Sequence, residues 1–214
     1  MEKEKKLRLF IFVIFVICIP LTLSSDSVKC RNGNVGAQEA DTIYLKTNIH
    51  AQQGNRDSKA SYANWTDPGT GHFILPVNTP IRIGEFKGLD RTIKGSRGFL
   101  IIVLDENISE SRREIFFEYN SGNMGGISQE EYIDLITSTE KTALNHLSQL
   151  DRKGISEGKV YEGMTKEGVR IALGYPAKHR TPSLESNTWI YWRNRFRTMA
   201  VEFGQNGKVT LIRN

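Results

Sequence analysis

Thr165-Lys-Glu-Gly-Val-Arg-Ile-Ala-Leu-Gly-Tyr-Pro176 decides how the C-terminal end is read, because three strand-like runs follow it: Trp189 to Trp192, Thr198 to Phe203 and Lys208 to Ile212. A Thr ahead of an apolar-periodic stretch caps a helix through its hydroxyl, so Thr165 starts a short helix that runs through Leu173. Gly174 stands where a left-handed helix end belongs, and Pro176 prevents continuation. Along the first strand Trp189 and Tyr191 share one face and Trp192 takes the other. Asn194 and Arg195 lie near the first turn of the meander, and Gly204-Gln-Asn-Gly207 makes the second, with Asn206-Gly207 a strong hairpin signal. Residues 155–214 therefore predict a helix laid on an antiparallel three-stranded meander, a two-layer α+β unit.

Upstream, Ser128-Gln-Glu-Glu131 is a capping box. Apolar residues follow at Tyr132, Leu135, Ile136, Ala143, Leu144, Leu147 and Leu150, which predicts one or more connecting helices over 128–153, with a break near Thr137 to Thr139 and an end at Gly154 and Gly158. Residues 41–120 carry β signals. Thr42 to Ile49 reads as one strand, Gln52 to Lys59 as a loop, and Asp67-Pro-Gly69 as a turn. Phe73 to Val77, Ile81 to Gly84, Gly98 to Leu104 and Glu114 to Tyr119 are further strands, which together predict a small barrel or curled sheet. Gly122-Asn-Met-Gly-Gly126 reads as a loop between the two parts.

The N-terminus has the order of an export signal: Lys3, Lys5, Lys6 and Arg8, then the apolar run from Leu9 to Ile19, then Pro20 and Thr22-Leu-Ser-Ser25. The expected organisation is a signal peptide over 1–25 and a polar leader over 26–40. A retained anchor and lipidation at Cys30 are the alternatives; the apolar run is shorter than the about 20 residues that span a bilayer, and the residues before Cys30 are not the small ones lipidation needs. Loss of 1–25 removes four cations and two acids, Glu2 and Glu4, so the formal charge falls from +5 to +3. So mild an excess argues against nucleic acid as a partner. One cysteine, Cys30, remains after cleavage, and packing alone must hold the fold.

Gly163-Met164-Thr165, then Leu173-Gly174-Tyr-Pro176, then Trp189-Ile-Tyr191, then Val201-Glu-Phe203 and Gly207-Lys-Val209 together resemble the SmpA/OmlA (BamE-like) family over residues 155–214. The region before it looks similar to bacterial SH3-like modules. The resemblance implies an α+β chain with a small β-barrel-like (SH3-like) N-terminal domain and a BamE-like helix-plus-meander. It also implies residence in the periplasm or outer membrane of a Gram-negative bacterium, and a binding or scaffolding role linked to outer-membrane protein assembly or envelope integrity. The implied partners are an envelope protein, anionic phospholipid, or both, with peptide or peptidoglycan contact through the N-terminal domain. The chain departs from the family in lacking a well-placed lipoprotein cysteine.

The motif residues Gly163, Met164, Thr165, Gly174, Pro176, Trp189 and Tyr191 have structural explanations as turns, caps and core. The sharper candidates are Lys178 and Arg180, with Trp192, Arg193, Arg195 and Arg197. Two-residue spacing puts the last three on one face of a continuous strand, and with Trp192 and Phe196 they form a cationic, aromatic surface suited to anionic headgroups or an acidic partner. The plainer reading is a solvated hairpin whose charges guard a sheet edge. Catalysis finds no motif. His50, His72, His146 and His179 have no metal-ligand spacing, no Gly-x-Ser-x-Gly occurs, and no cofactor is expected. Asp105, Glu106 and Glu110 form a loop cluster of carboxylates. An exported inhibitor of the β-lactamase-inhibitory type and a cell-wall hydrolase are the competing readings.

Overall fold

The structure is a computed structural model, and it describes residues 42–55, 57–84 and 97–214. The signal peptide, the leader and Cys30 lie outside the described residues. Strands β1 (Ile43–Leu45), β2 (Ile49–Gln53), β3 (Ser58–Ser61), β4 (His72–Leu75), β5 (Pro80–Gly84), β6 (Arg97–Val103) and β7 (Glu114–Tyr119) precede helix α1 (Gln129–Ile136). The short strand β8 (Thr137–Ser138), helices α2 (Gln149–Glu157) and α3 (Lys166–Leu173), and strands β9 (Thr188–Trp192), β10 (Thr198–Phe203) and β11 (Val209–Arg213) follow. The protein is α+β and rich in strands.

The first eight strands make one curled sheet in the order β4-β2-β3-β7-β6-β5-β1-β8. All neighbours are antiparallel except β3 and β7, which run parallel. The sheet is a half-barrel: β4 and β8 end it and do not pair with each other. Alternation along β7 sends Ile115, Phe117 and Tyr119 inward, where they meet Phe99, Ile101 and Val103 of β6 and Tyr132 of α1. The second sheet is the antiparallel meander β11-β10-β9. Its inner face carries Trp189, Tyr191, Met199, Val201, Phe203 and Val209, all packed against α2 and α3.

The two hydrophobic clusters exchange residues. Ala177 and Tyr175 pack in the first, although they follow α3, and Val77 packs in the second, although it precedes β5. All described residues fall in one compact unit. Gly122 to Met124 is a 3-10 turn rather than an open loop, because Met124 is fully buried in the first cluster and the Tyr119 hydroxyl donates to Ile127 O at 2.7 Å.

Several expectations need correction. The strand expected over 42–49 breaks at 46–48, where Asn48 turns inward as a polar ligand for α3. The loop expected over 52–59 is shorter than that: Gln52 and Gln53 end β2, Ser58 and Lys59 begin β3, and the two strands pair antiparallel. The stretch over 128–153 holds two helices, and the break expected near Thr137 to Thr139 is present but longer: residues 137–148 lie between α1 and α2, so His146 lies outside any helix. There the structure uses a second capping box: Ser148 accepts from Asp151 N at 3.0 Å, and the Asp151 carboxylate accepts from Ser148 N at 3.3 Å. Gly154 sits inside α2, packed where a Cβ would lie 2.4 Å from the Met164 methyl; the helix ends at Gly158. Gly174 does not take the left-handed helical conformation: its φ is 77° with ψ −168°, a region open essentially to glycine alone.

Thr165 caps α3 by accepting from Gly168 N at 3.0 Å. Asp151 ties this cap to α2, since its Oδ1 accepts from Thr165 N at 2.8 Å and from the Thr165 hydroxyl at 3.2 Å. Asp151 is fully buried, and its carboxylate is held by hydrogen bonds from both helix starts, which is the condition for burying a charge.

Candidate functional site

The far end of α3 faces the curled sheet. A helix leaves its last carbonyls without intrahelical donors, and here the sheet and the meander supply them. Asn48 N donates to Ile171 O at 2.8 Å, and Asn48 Nδ2 to Ala172 O at 3.3 Å and Ile155 O at 2.7 Å. Asn64 Nδ2 donates to Leu173 O at 2.6 Å, and the Tyr191 hydroxyl to Gly174 O at 3.1 Å. His50 Nε2 lies 3.1 Å from Ala172 O, and a carbonyl can only accept, so Nε2 carries the proton. His50 Nδ1 is then an acceptor for His72 Nε2 at 3.0 Å.

Burial lowers the His50 pKa to about 4, partly offset by the bond to Ala172 O and reinforced by His72. The His72 pKa is lowered by burial as well, against the pull of Asp67. His50 and His72 are thus a neutral pair in a seam between the sheet and α3. Their meeting follows from the β2–β4 pairing and could not be read from their spacing.

The cationic segment lies elsewhere on the same scaffold. β9 ends at Trp192 and β10 begins at Thr198, so Arg193, Arg195 and Arg197 occupy the hairpin turn and do not share a strand face. The turn is organised by Asn194, whose Oδ1 accepts from Phe196 N at 3.0 Å and Arg197 N at 3.1 Å, while Arg193 N donates to Arg197 O at 2.8 Å. That geometry throws Phe196 outward, leaving it 86% exposed with the Arg195 guanidinium 5.8 Å from its ring centre.

The arginines divide by role. Arg193 is bound to Asp67 at 2.8 Å, and the backbone of the same loop is joined to the hairpin by Thr66 N to Trp192 O at 3.0 Å and Asp67 N to Arg193 O at 2.7 Å. Among the described residues neither Arg195 nor Arg197 forms an ion pair. Lys178, His179 and Arg180 are exposed; the Lys178 stem lies over Gly125, and the His179 ring lies 6.4 Å from that of Trp192, which brings their loop beside the hairpin.

Two clefts flank the half-buried Trp65. One, of about 490 Å³, is lined by Trp65, Pro68 and residues 194–197. The other, of about 200 Å³, is lined by Tyr62, Trp65, Glu118, Trp192 and Arg195 among others. Trp65 and Asp67 were not among the sequence candidates. Asp67-Pro-Gly69 announces a turn, but nothing local shows that the turn is bonded to a hairpin 126 residues further on.

The motif residues are caps and core. Met164, Trp189 and Tyr191 are buried, Pro176 is buried beyond the end of α3, and Gly163 has a φ of 92° at the turn into it. Asp105 folds back on its own turn, accepting from Asn107 N at 2.9 Å. Among the described residues no group of three or more His, Cys, Asp and Glu is placed to hold a metal ion, and no helix is long and apolar enough to cross a membrane. Compared with known protein families, curated proteins and solved structures, the chain matches none.

Proposed function

We propose that the chain is an exported, non-enzymatic binding or scaffold protein of the Gram-negative envelope, sited in the periplasm or at the outer membrane. Its C-terminal part is a SmpA/OmlA-like (BamE-like) module and its N-terminal sheet an SH3-like one. The module presents the hairpin 193–197 to an anionic envelope partner, and the role is linked to outer-membrane protein assembly or envelope integrity.

The observation that carries this reading is Phe196, 86% exposed at the tip of a turn flanked by Arg195 and Arg197. A ring held in water at a turn tip contributes little to folding, and flanked by guanidinium groups that form no ion pair among the described residues it suits a negatively charged, partly apolar target. The hairpin is anchored by Asp67, so its cations are presented on a fixed base rather than on a loose loop.

The test is a photoreactive amino acid in place of Phe196 in living cells, followed by mass spectrometry of the adducts. The expected result is crosslinks to envelope proteins or anionic lipid, lost when Arg195 and Arg197 are both changed to Glu. Adducts confined to cytosolic proteins, or unchanged by the charge reversal, would sink the proposal.

A further inference from the structure

The two clefts beside the hairpin share one wall, the Trp65 indole, and one rim residue, Arg195. We infer that they form a single docking site for an acidic, extended peptide, which seats an apolar side chain on either side of Trp65 and sets its carboxylates against Arg195 and Arg197. This rests on the reading of the hairpin as a face for an anionic partner and names what that partner is.

Three features favour a peptide. The first is shape. An extended chain places residues i and i+2 on one side about 7 Å apart, a span that straddles an indole ring. Both clefts are concave and walled by aromatic or proline side chains: Trp65 and Pro68 in one, Tyr62, Trp65 and Trp192 in the other. Such walls suit proline and aromatic residues of a bound segment.

The second is charge. Asp67 is neutralised by Arg193, which leaves Glu118 as the acid in the clefts against Arg195 and Arg197. Lys178 and Arg180 add positive charge beside the second cleft, where His179 lies against Trp192. The site is complementary to a segment with more carboxylates than cations, and guanidinium groups can take carboxylates bidentately.

The third is preorganisation. The wall residue Trp65 comes from the β3–β4 loop and the rim residue Arg195 from the β9–β10 hairpin. The bonds from Thr66 N to Trp192 O, from Asp67 N to Arg193 O, and from Arg193 to Asp67 hold the two together without a ligand. Little ordering is left for binding to accomplish.

The chain has three tryptophans, which give a direct readout. Trp189 is buried and donates its indole N–H to Leu184 O at 3.2 Å, so it serves as an internal control. A displayed library of random peptides is selected on the full chain, and the enriched peptides are titrated while the indole N–H resonances are followed. The expected outcome is enrichment of acidic sequences with aromatic or proline residues two apart. They shift Trp65 and Trp192 but not Trp189, and their affinity falls roughly tenfold or more for Trp65→Leu and for Arg195→Ser. Arg195 is exposed, so its substitution leaves the fold intact and separates lost binding from lost structure.

Enrichment of basic or uncharged peptides, or binding indifferent to both substitutions, overturns the inference. Vesicles of phosphatidylglycerol in phosphatidylcholine form the second arm. If they shift Trp65 and Trp192 while no acidic peptide does, the occupant is a membrane surface: the peptide is refuted and the anionic-partner reading stands. If neither peptide nor vesicle moves these signals, both fall.

Discussion

The seam at the end of α3 and the hairpin 193–197 are both polar, yet they are opposite in kind. In the seam, Asn48, His50 and Asn64 are buried and their polar groups are spent on helix carbonyls and on one another. At the hairpin, Arg195, Phe196 and Arg197 are exposed, and the turn is held by Asn194 rather than by its cations. Buried polar groups with fixed partners specify one docking of sheet on helix. Exposed cations beside an exposed aromatic contribute little to the fold and are left for a partner. Polarity therefore serves cohesion in one region and recognition in the other.

That contrast breaks most visibly at Asn48. Asn48→Ala removes two donors from carbonyls of α2 and α3 and the acceptor for Val77 N at 2.8 Å. Each buried group left without a partner is penalised, so the expected loss is about 3 kcal/mol, seen as a lower urea midpoint. An equal loss from Arg195→Ser would erase the distinction between the regions.

The second effect depends on pH. Burial holds the His50 pKa down at about 4 in the fold against an ordinary value of 6.5, so between those values the unfolded chain binds more protons. Stability from this group is fully present above 6.5 and is lost as pH falls toward 4, by up to about 3 kcal/mol. The lowered pKa of His72 acts in the same direction. Protonation at His50 Nδ1 would also set a donor against the His72 N–H. Urea melts across this interval should slope downward toward acid, and His50→Gln should flatten the slope. A slope unchanged in His50→Gln would place the titration elsewhere.

The smallest effect on stability falls at the tip. Phe196→Ser should leave the urea midpoint within about 0.5 kcal/mol of the parent, since the ring is largely in water. The same substitution should abolish photocrosslinking from a reactive residue placed at Arg197. A large drop in stability would show the ring to be part of the core.

The meander was the most legible part. Strands expected at Trp189 to Trp192, Thr198 to Phe203 and Lys208 to Ile212 match β9, β10 and β11 to within one residue. Their alternation and the Asn206-Gly207 turn are local signals. The helix from Thr165 to Leu173 and the capping box at Ser128 were legible for the same reason. Residues 139–148 carry apolar spacing without forming a helix, and the Ser148-to-Asp151 box marked the true start of α2. The break at 46–48 was hidden because its cause is Asn48, whose carbonyl partners lie 107 and 124 residues away. The arginine hairpin was located correctly in the sequence but given a strand's geometry. The turn centred on Asn194 withdraws Arg193 to Asp67 and leaves Arg195 and Arg197 free of ion pairs among the described residues.

The bonds that close the end of α3 also set an order of events. His50 and Asn64 meet their carbonyls across 122 and 109 residues, separations that make loop closure slow. A chain made from its N-terminus produces the donors first and the acceptors last. Until α3 is complete, the sheet holds asparagine and histidine side chains on a surface that has nothing to bond but water. The seam can therefore close only once α3 is in place. A nascent or truncated chain that stops short of Gly174 has an early half that is wet where the finished protein is dry.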